Sequence, residues 1–103
     1  MAKVIESGGV LTLKLSRLEK IGALHGDISV ASNELISKTE VPNPWTKEHL
    51  RGTRSPGTAI PYRILLGTMR FKGGKDFCAI YKRSPAVIYE FADAPFKRWI
   101  VSI

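Results

Sequence analysis

Leu11, Leu13 and Leu15 alternate with Thr12 and Lys14, with Val10 leading the run. Period-two alternation of this kind predicts a strand with one face buried and one wet. The preceding Lys3–Glu6 reads as a short strand, and Ser7-Gly8-Gly9 as the turn between the two. Beyond Leu15 the period changes. Ser16 and Glu19 stand three residues apart, the spacing of a capping box, in which the serine hydroxyl and the glutamate carboxylate satisfy each other's backbone amides. A short helix with Leu18, Ile21 and Leu24 on one face is expected there, limited by Gly22 and Gly26; the competing reading is a loop across one end of a barrel. Ile28 and Val30 form a short strand, Ala31-Ser32-Asn33 turns the chain, and Leu35–Val41 is a strand with one wet face.

Asn43 followed by Pro44 is an N-cap with proline at the first helical position, so a short helix through Leu50 is expected, anchored by Trp45 and Leu50. Arg51–Tyr62 holds Gly52, Pro56, Gly57 and Pro61 and reads as the longest irregular stretch. Its length and its polar, cationic content fit a binding loop; a plain crossover between two sheets fits equally. From Arg63 onward the pattern is an antiparallel meander: Ile64–Phe71, a Gly73-Gly74 hairpin, Asp76–Lys82, Ala86–Phe91 and Lys97–Ile103, with Val87, Tyr89 and Phe91 on one face and Trp99, Val101 and Ile103 on another. Seven or eight short strands with one or two short helices predict a mainly β fold, a small antiparallel barrel or two-sheet sandwich, in a single domain over residues 1–103.

The composition agrees with a folded globule: 44% apolar and 24% charged residues in 103. No apolar run reaches the roughly 20 residues of a membrane-spanning helix, and the N-terminus lacks the apolar stretch of a secretory signal. A lone cysteine, Cys78, forms no intrachain disulfide and fits a reducing, cytoplasmic setting.

Charge changes the picture more. The net charge is +7, and the segment Lys47–Arg83 alone carries nine cations against Glu48 and Asp76, while the rest of the chain balances. Such asymmetry fits an anionic partner, and a solvated surface would show it too. The residues that would hold an anion are Arg51, Arg54, Arg63, Arg70, Lys72 and Lys75, of which Lys72 and Lys75 flank the Gly73-Gly74 tip. Phe71, Phe77 and Tyr81 lie among these cations; a stacking platform for single-stranded nucleic acid is one reading and core filling the better one.

Catalytic chemistry finds little footing. His25, His49 and Cys78 have no paired metal-ligand spacing, so no metal and no cofactor is expected. His25 and Asp27 are close in sequence, but a turn explains both, and no enzymatic role is expected. Gly73-Gly74-Lys75 lacks the spacing of a phosphate loop.

The strings Leu24–Val30, Pro44-Trp45, Arg51–Thr58, Gly73–Phe77 and Ala94-Pro95-Phe96 resemble those of a group of short uncharacterised bacterial proteins. The strand pattern of that group is similar to bacterial pleckstrin-homology-like domains, which implies two nearly orthogonal sheets closed by a C-terminal helix. Here the sequence reaches Ile103 without such a helix. An uncovered barrel mouth would favour self-association, so a homo-oligomer, with a two-fold dimer favoured, is expected; alternatively, the Ser16–Leu24 or Asn43–Leu50 helix would fill the mouth. The functional expectation is a non-enzymatic binding or scaffold module whose basic surface takes an acidic protein face or a phosphorylated ligand. The alternative is a nucleic-acid-binding protein.

Overall fold

Leu11, Leu13 and Leu15 do face one way, and all three are buried. In the computed structural model, which describes residues 2–103 apart from the side chains of Arg54 and Ser55, they lie on a small sheet of β1 (Lys3–Ser7), β2 (Val10–Lys14) and β3 (Ile28–Ala31), with β2 in the middle and just beyond it Leu15. Gly8 and Gly9 both adopt positive φ in the two-residue turn between β1 and β2, so Ser7 meets Val10 in register. The capping box forms as the sequence predicts. Ser16 Oγ accepts from Glu19 N, Glu19 Oε1 accepts from Ser16 N, and α1 runs over Arg17–Ala23.

The second sheet has six strands: β4 (Leu35–Val41), β5 (Thr53–Ile60), β6 (Ile64–Phe71), β7 (Gly74–Tyr81), β8 (Ala86–Phe91) and β9 (Arg98–Ser102), in the order β4-β8-β9-β7-β6-β5. Alternation on its strands sorts the interior into two cores. On one side Leu66, Phe77, Ala79, Tyr89, Phe91, Trp99 and Val101 meet Leu11, Leu13, Leu15 and Ile28 of the small sheet. On the other, Val41, Leu65, Met69, Cys78, Ile80, Ala86, Ile88 and Ile100 lie under Trp45 and Leu50. A sheet covered on both faces needs apolar residues at consecutive positions, and the run Phe77-Cys78-Ala79-Ile80 is buried throughout.

Five expectations are corrected. The described strands number nine and form two open sheets of three and six, so no barrel closes. The last strand does not extend a meander: β9 inserts between β7 and β8, antiparallel to β8 and parallel to β7, pairing Phe77 with Trp99 and Ile88 with Ile100. The stretch 51–62 is mostly strand, because β5 is an edge strand. Proline is tolerated at such an edge, and the register shifts between Arg54 and Gly57, around Pro56. No helix forms over 44–50; one turn does, with Thr46 O accepting from His49 N and Leu50 N and Asn43 Oδ1 from Trp45 N. Trp45 and Leu50 still pack inward, and Trp45 Nε1 donates to Lys82 O at 2.6 Å.

The fifth correction concerns α1. Its inward side carries Glu19, Gly22 and Ala23, small enough at the last two positions for the helix to sit close on β5 and β6. Thr58 Oγ1 donates to Gly22 O at 2.7 Å. Leu18, Ile21 and Leu24 point outward into solvent. The helix stops at Leu24, which takes a left-handed conformation (φ 53°) and donates its N–H to Ile21 O.

Candidate anion-binding site

The β6–β7 hairpin turns at Lys72-Gly73, where Gly73 has φ 106°. The register that follows places Arg70 directly opposite Lys75. Like charges in a direct cross-strand pair destabilise a sheet, and an anion between them reverses the sign of that interaction. Both side chains lie on the sheet face that carries Phe77, since Arg70 alternates with Thr68 and Thr68 pairs with Phe77. Arg70 and Lys72 are exposed and Lys75 half-buried. Lys75 Nζ sits 4.7 Å from the centroid of Phe96, a ring that itself packs against Phe77 and His25.

Lys97 completes this end, and sequence reasoning missed it. Its N–H donates to Lys75 O at 2.7 Å. Its side chain crosses Gly74 on the Phe71 face, opposite that of Arg70 and Lys75, so closely that a Cβ there would lie 2.8 Å from Lys97 Cγ. The missing signal is tertiary: only the β7–β9 pairing brings Lys97 to the hairpin.

On the opposite face of the same strands stands Asp76, fully buried. Arg51 grips it with two bonds, Nε to Oδ2 at 2.9 Å and Nη2 to Oδ1 at 2.8 Å. Arg98 Nη2 adds a third at 3.0 Å and donates also to His49 O. Arg51 further stacks 4.1 Å from the Phe71 ring centroid. Arg51 therefore adds positive charge to this end of the sheet while its fork is taken up by Asp76. That carboxylate, the one acidic residue on β6 and β7, is enclosed by two guanidinium groups.

Arg63 is elsewhere. It precedes β6 at the far end, seven residues from Arg70, or roughly 23 Å along a strand. Around it are Lys82, whose N–H donates to Arg63 O at 2.8 Å, and Arg83, stacked 4.2 Å from the Tyr62 ring centroid. The central cations thus divide between two poles of the large sheet. Arg70, Lys72 and Lys75 meet at one, with Arg51 on its other face; Arg63 is at the other. Arg54 pairs by backbone with Met69, next to Arg70, and its side chain lies outside those described.

The remaining candidates serve the fold. Phe77 is fully buried, and Tyr81 donates its hydroxyl to Glu19 on α1; burial and the Glu19 bond together push the Tyr81 phenol above its ordinary range. His25 packs edge-on against Phe77 and Phe96, each at 5.5 Å between centroids. Asp27 accepts from Leu15 N at 2.8 Å, the main reason its carboxyl is held below its usual range. Cys78 is fully buried, and burial raises its thiol well above the ordinary value. A cavity of about 410 Å³ opens between α1 and the β5–β6 edge, lined by Ser16, Leu18, Glu19, Gly22, Thr58, Ile64, Leu66 and Tyr81. Comparison with protein-family models, with curated proteins and with solved structures gave no match.

Proposed function

We propose that the chain is a binding module whose hairpin end, Arg70, Lys72 and Lys75, takes a phosphate-bearing anionic ligand, with Lys97 adding positive charge from the other face. The direct Arg70–Lys75 pairing supports this reading: two cations stand opposite each other at the hairpin end, while Asp76 on the same ladder is turned to the other face between Arg51 and Arg98. Arg51 and Arg98 fix the strands behind the site, so Arg70 and Lys75 are presented on a paired ladder, with Lys72 in the turn that joins its strands. The nucleic-acid alternative draws less support, since Phe77 is enclosed, Tyr81 is tied to α1 and Phe71 is stacked on Arg51. The expectation of a dimer rested on an uncovered barrel mouth, which two open sheets do not have.

Titration calorimetry with inositol hexakisphosphate as a soluble probe tests the site. Binding is expected at low salt and should weaken as salt rises. Replacing Arg70, Lys72 and Lys75 together by Ala should cost about tenfold or more in affinity, while replacing Arg63 and Arg83 by Ala should leave it unchanged. Equal losses from the two sets, or no binding at low salt, would rule the site out.

A further inference from the structure

We propose that the anion recognised at the hairpin end belongs to the surface of an anionic lipid bilayer, and that the outer face of α1 docks there with it. This rests on the reading of the hairpin end as an anion site and names the source of the anion.

The first observation is the outward stripe of α1. Leu18 is 79% exposed, Ile21 64% and Leu24 68%. A helix of a folded globule normally turns such a stripe inward; here the inward side holds Glu19, Gly22 and Ala23 instead. Leu24 is the most telling of the three. Its left-handed backbone disfavours any residue with a Cβ, and glycine or asparagine is the usual occupant. Neither the backbone nor the core explains a leucine there.

The second observation is where the stripe leads. Along the sheet, Glu19 reaches Tyr81, Gly22 abuts Leu66 and His25 meets Phe77. Phe77 is two residues from Lys75, about 7 Å along the strand. The C-terminal end of α1 therefore runs toward the Arg70–Lys75 pair on the same face of the sheet.

Charge selects the occupant. Arg17 and Lys20 are exposed within the stripe, and the acid of α1, Glu19, is turned inward. Asp27 lies beside Lys14 and Lys20 at 3.5 and 3.7 Å. A second copy docked by a two-fold axis would set Arg17 and Lys20 against themselves. An anionic bilayer accepts both features: projecting apolar side chains enter the headgroup boundary, and the cations beside them meet the phosphates.

Vesicle co-sedimentation tests this, using phosphatidylcholine alone and phosphatidylcholine with about one third phosphatidylglycerol. The chain should pellet with the anionic vesicles only. Leu18→Ser, Ile21→Ser and Leu24→Ser combined should weaken vesicle binding about tenfold or more while leaving inositol hexakisphosphate binding intact. The Arg70, Lys72 and Lys75 to Ala variant should lose both. All six positions are at least partly exposed, and circular dichroism checks that each variant keeps its fold. Vesicle binding unchanged by the serine variant would overturn the inference. So would a wild-type chain that binds the soluble probe and ignores vesicles, which would leave the anion site standing and point to an acidic protein face. A dimer that the serine variant converts to monomer would make a second copy the occupant and overturn it too.

Discussion

The phenol of Tyr81, on β7, donates its hydrogen to the carboxylate of Glu19, on α1. The two residues are 62 positions apart in the chain, and their bond ties the short helix to the large sheet at the mouth of the cavity beneath it. Tyr81→Phe removes a hydrogen bond to a buried charged acceptor and is expected to cost about 2 kcal/mol, read as a lower melting temperature in differential scanning calorimetry. A melting temperature within a degree or so of wild type would show that the helix is held by other means.

The same carboxylate gives the fold an acid dependence. Burial alone would raise the Glu19 value, but the bonds from Ser16 and Tyr81 outweigh it and leave it below the ordinary 4.5. Asp27 is also held below its ordinary value. A carboxyl lowered in the folded state favours folding above its unfolded value, and that contribution disappears as pH falls through the folded value. Stability should therefore be flat above about pH 5 and decline below 4.5, measured as urea midpoints against pH. Glu19→Gln should make the decline shallower; an unchanged slope would assign the acid dependence to other groups.

Asp76→Ala leaves Arg51 and Arg98 facing each other across the space the carboxylate held. Breaking a buried ion cluster by removing its one acid should cost about 3 to 5 kcal/mol. Arg51→Ala should cost nearer 1 kcal/mol, because Arg98 still pairs with Asp76 and Arg51 is partly in water. Urea denaturation would order the two, and the reverse order would contradict the central place given to the acid.

Gly57 and Gly67 face each other across β5 and β6 with φ of 150° and 143°. A Cβ on Gly67 would lie 2.3 Å from Pro56 O, and one on Gly57 2.2 Å from Leu66 O. Either alanine substitution must push the edge strand away, at an expected cost of about 2 kcal/mol or more. Proteolysis should then cut β5 in the variants under conditions that spare the wild type.

The Cys78 thiol should resist alkylation in the native chain, since burial keeps it both protonated and out of reach. Mass spectrometry after iodoacetamide treatment should find it unmodified until denaturant is added. Rapid labelling of the native protein would contradict its enclosure.

What the sequence made legible follows from how local the signal is. Leu11, Leu13 and Leu15 announce a strand because a face buried on one side writes its period into adjacent residues. Ser16 and Glu19 announce a helix start because the bonds span three residues. The pairing of β9 left no such trace: Phe77 and Trp99 each follow a charged residue and open an apolar run, and nothing nearby names their partner. Pro56 and Gly57 read as loop because an edge strand with a register shift tolerates the residues that loops prefer. On α1 the periodicity marked Leu18, Ile21 and Leu24 as the apolar face, but close approach to Leu66 and Thr58 favoured the side with Gly22 and Ala23. At the hairpin, the cations Arg70, Lys72 and Lys75 were legible from their spacing. The pairing of Arg51 with Asp76 and the arrival of Lys97 depend on chain reversals that spacing does not encode.

Residues 98–102 are the seam of the large sheet. Without them β4 and β8 form one ribbon, β5, β6 and β7 another, and no ladder joins the two. A nascent chain paused before Arg98 would hold two raw edges, one on each ribbon, rich in Ile, Tyr, Phe and Val and ready to pair with a neighbouring chain. Safe assembly of the large sheet is therefore a race between insertion of β9 and the meeting of copies that still lack it.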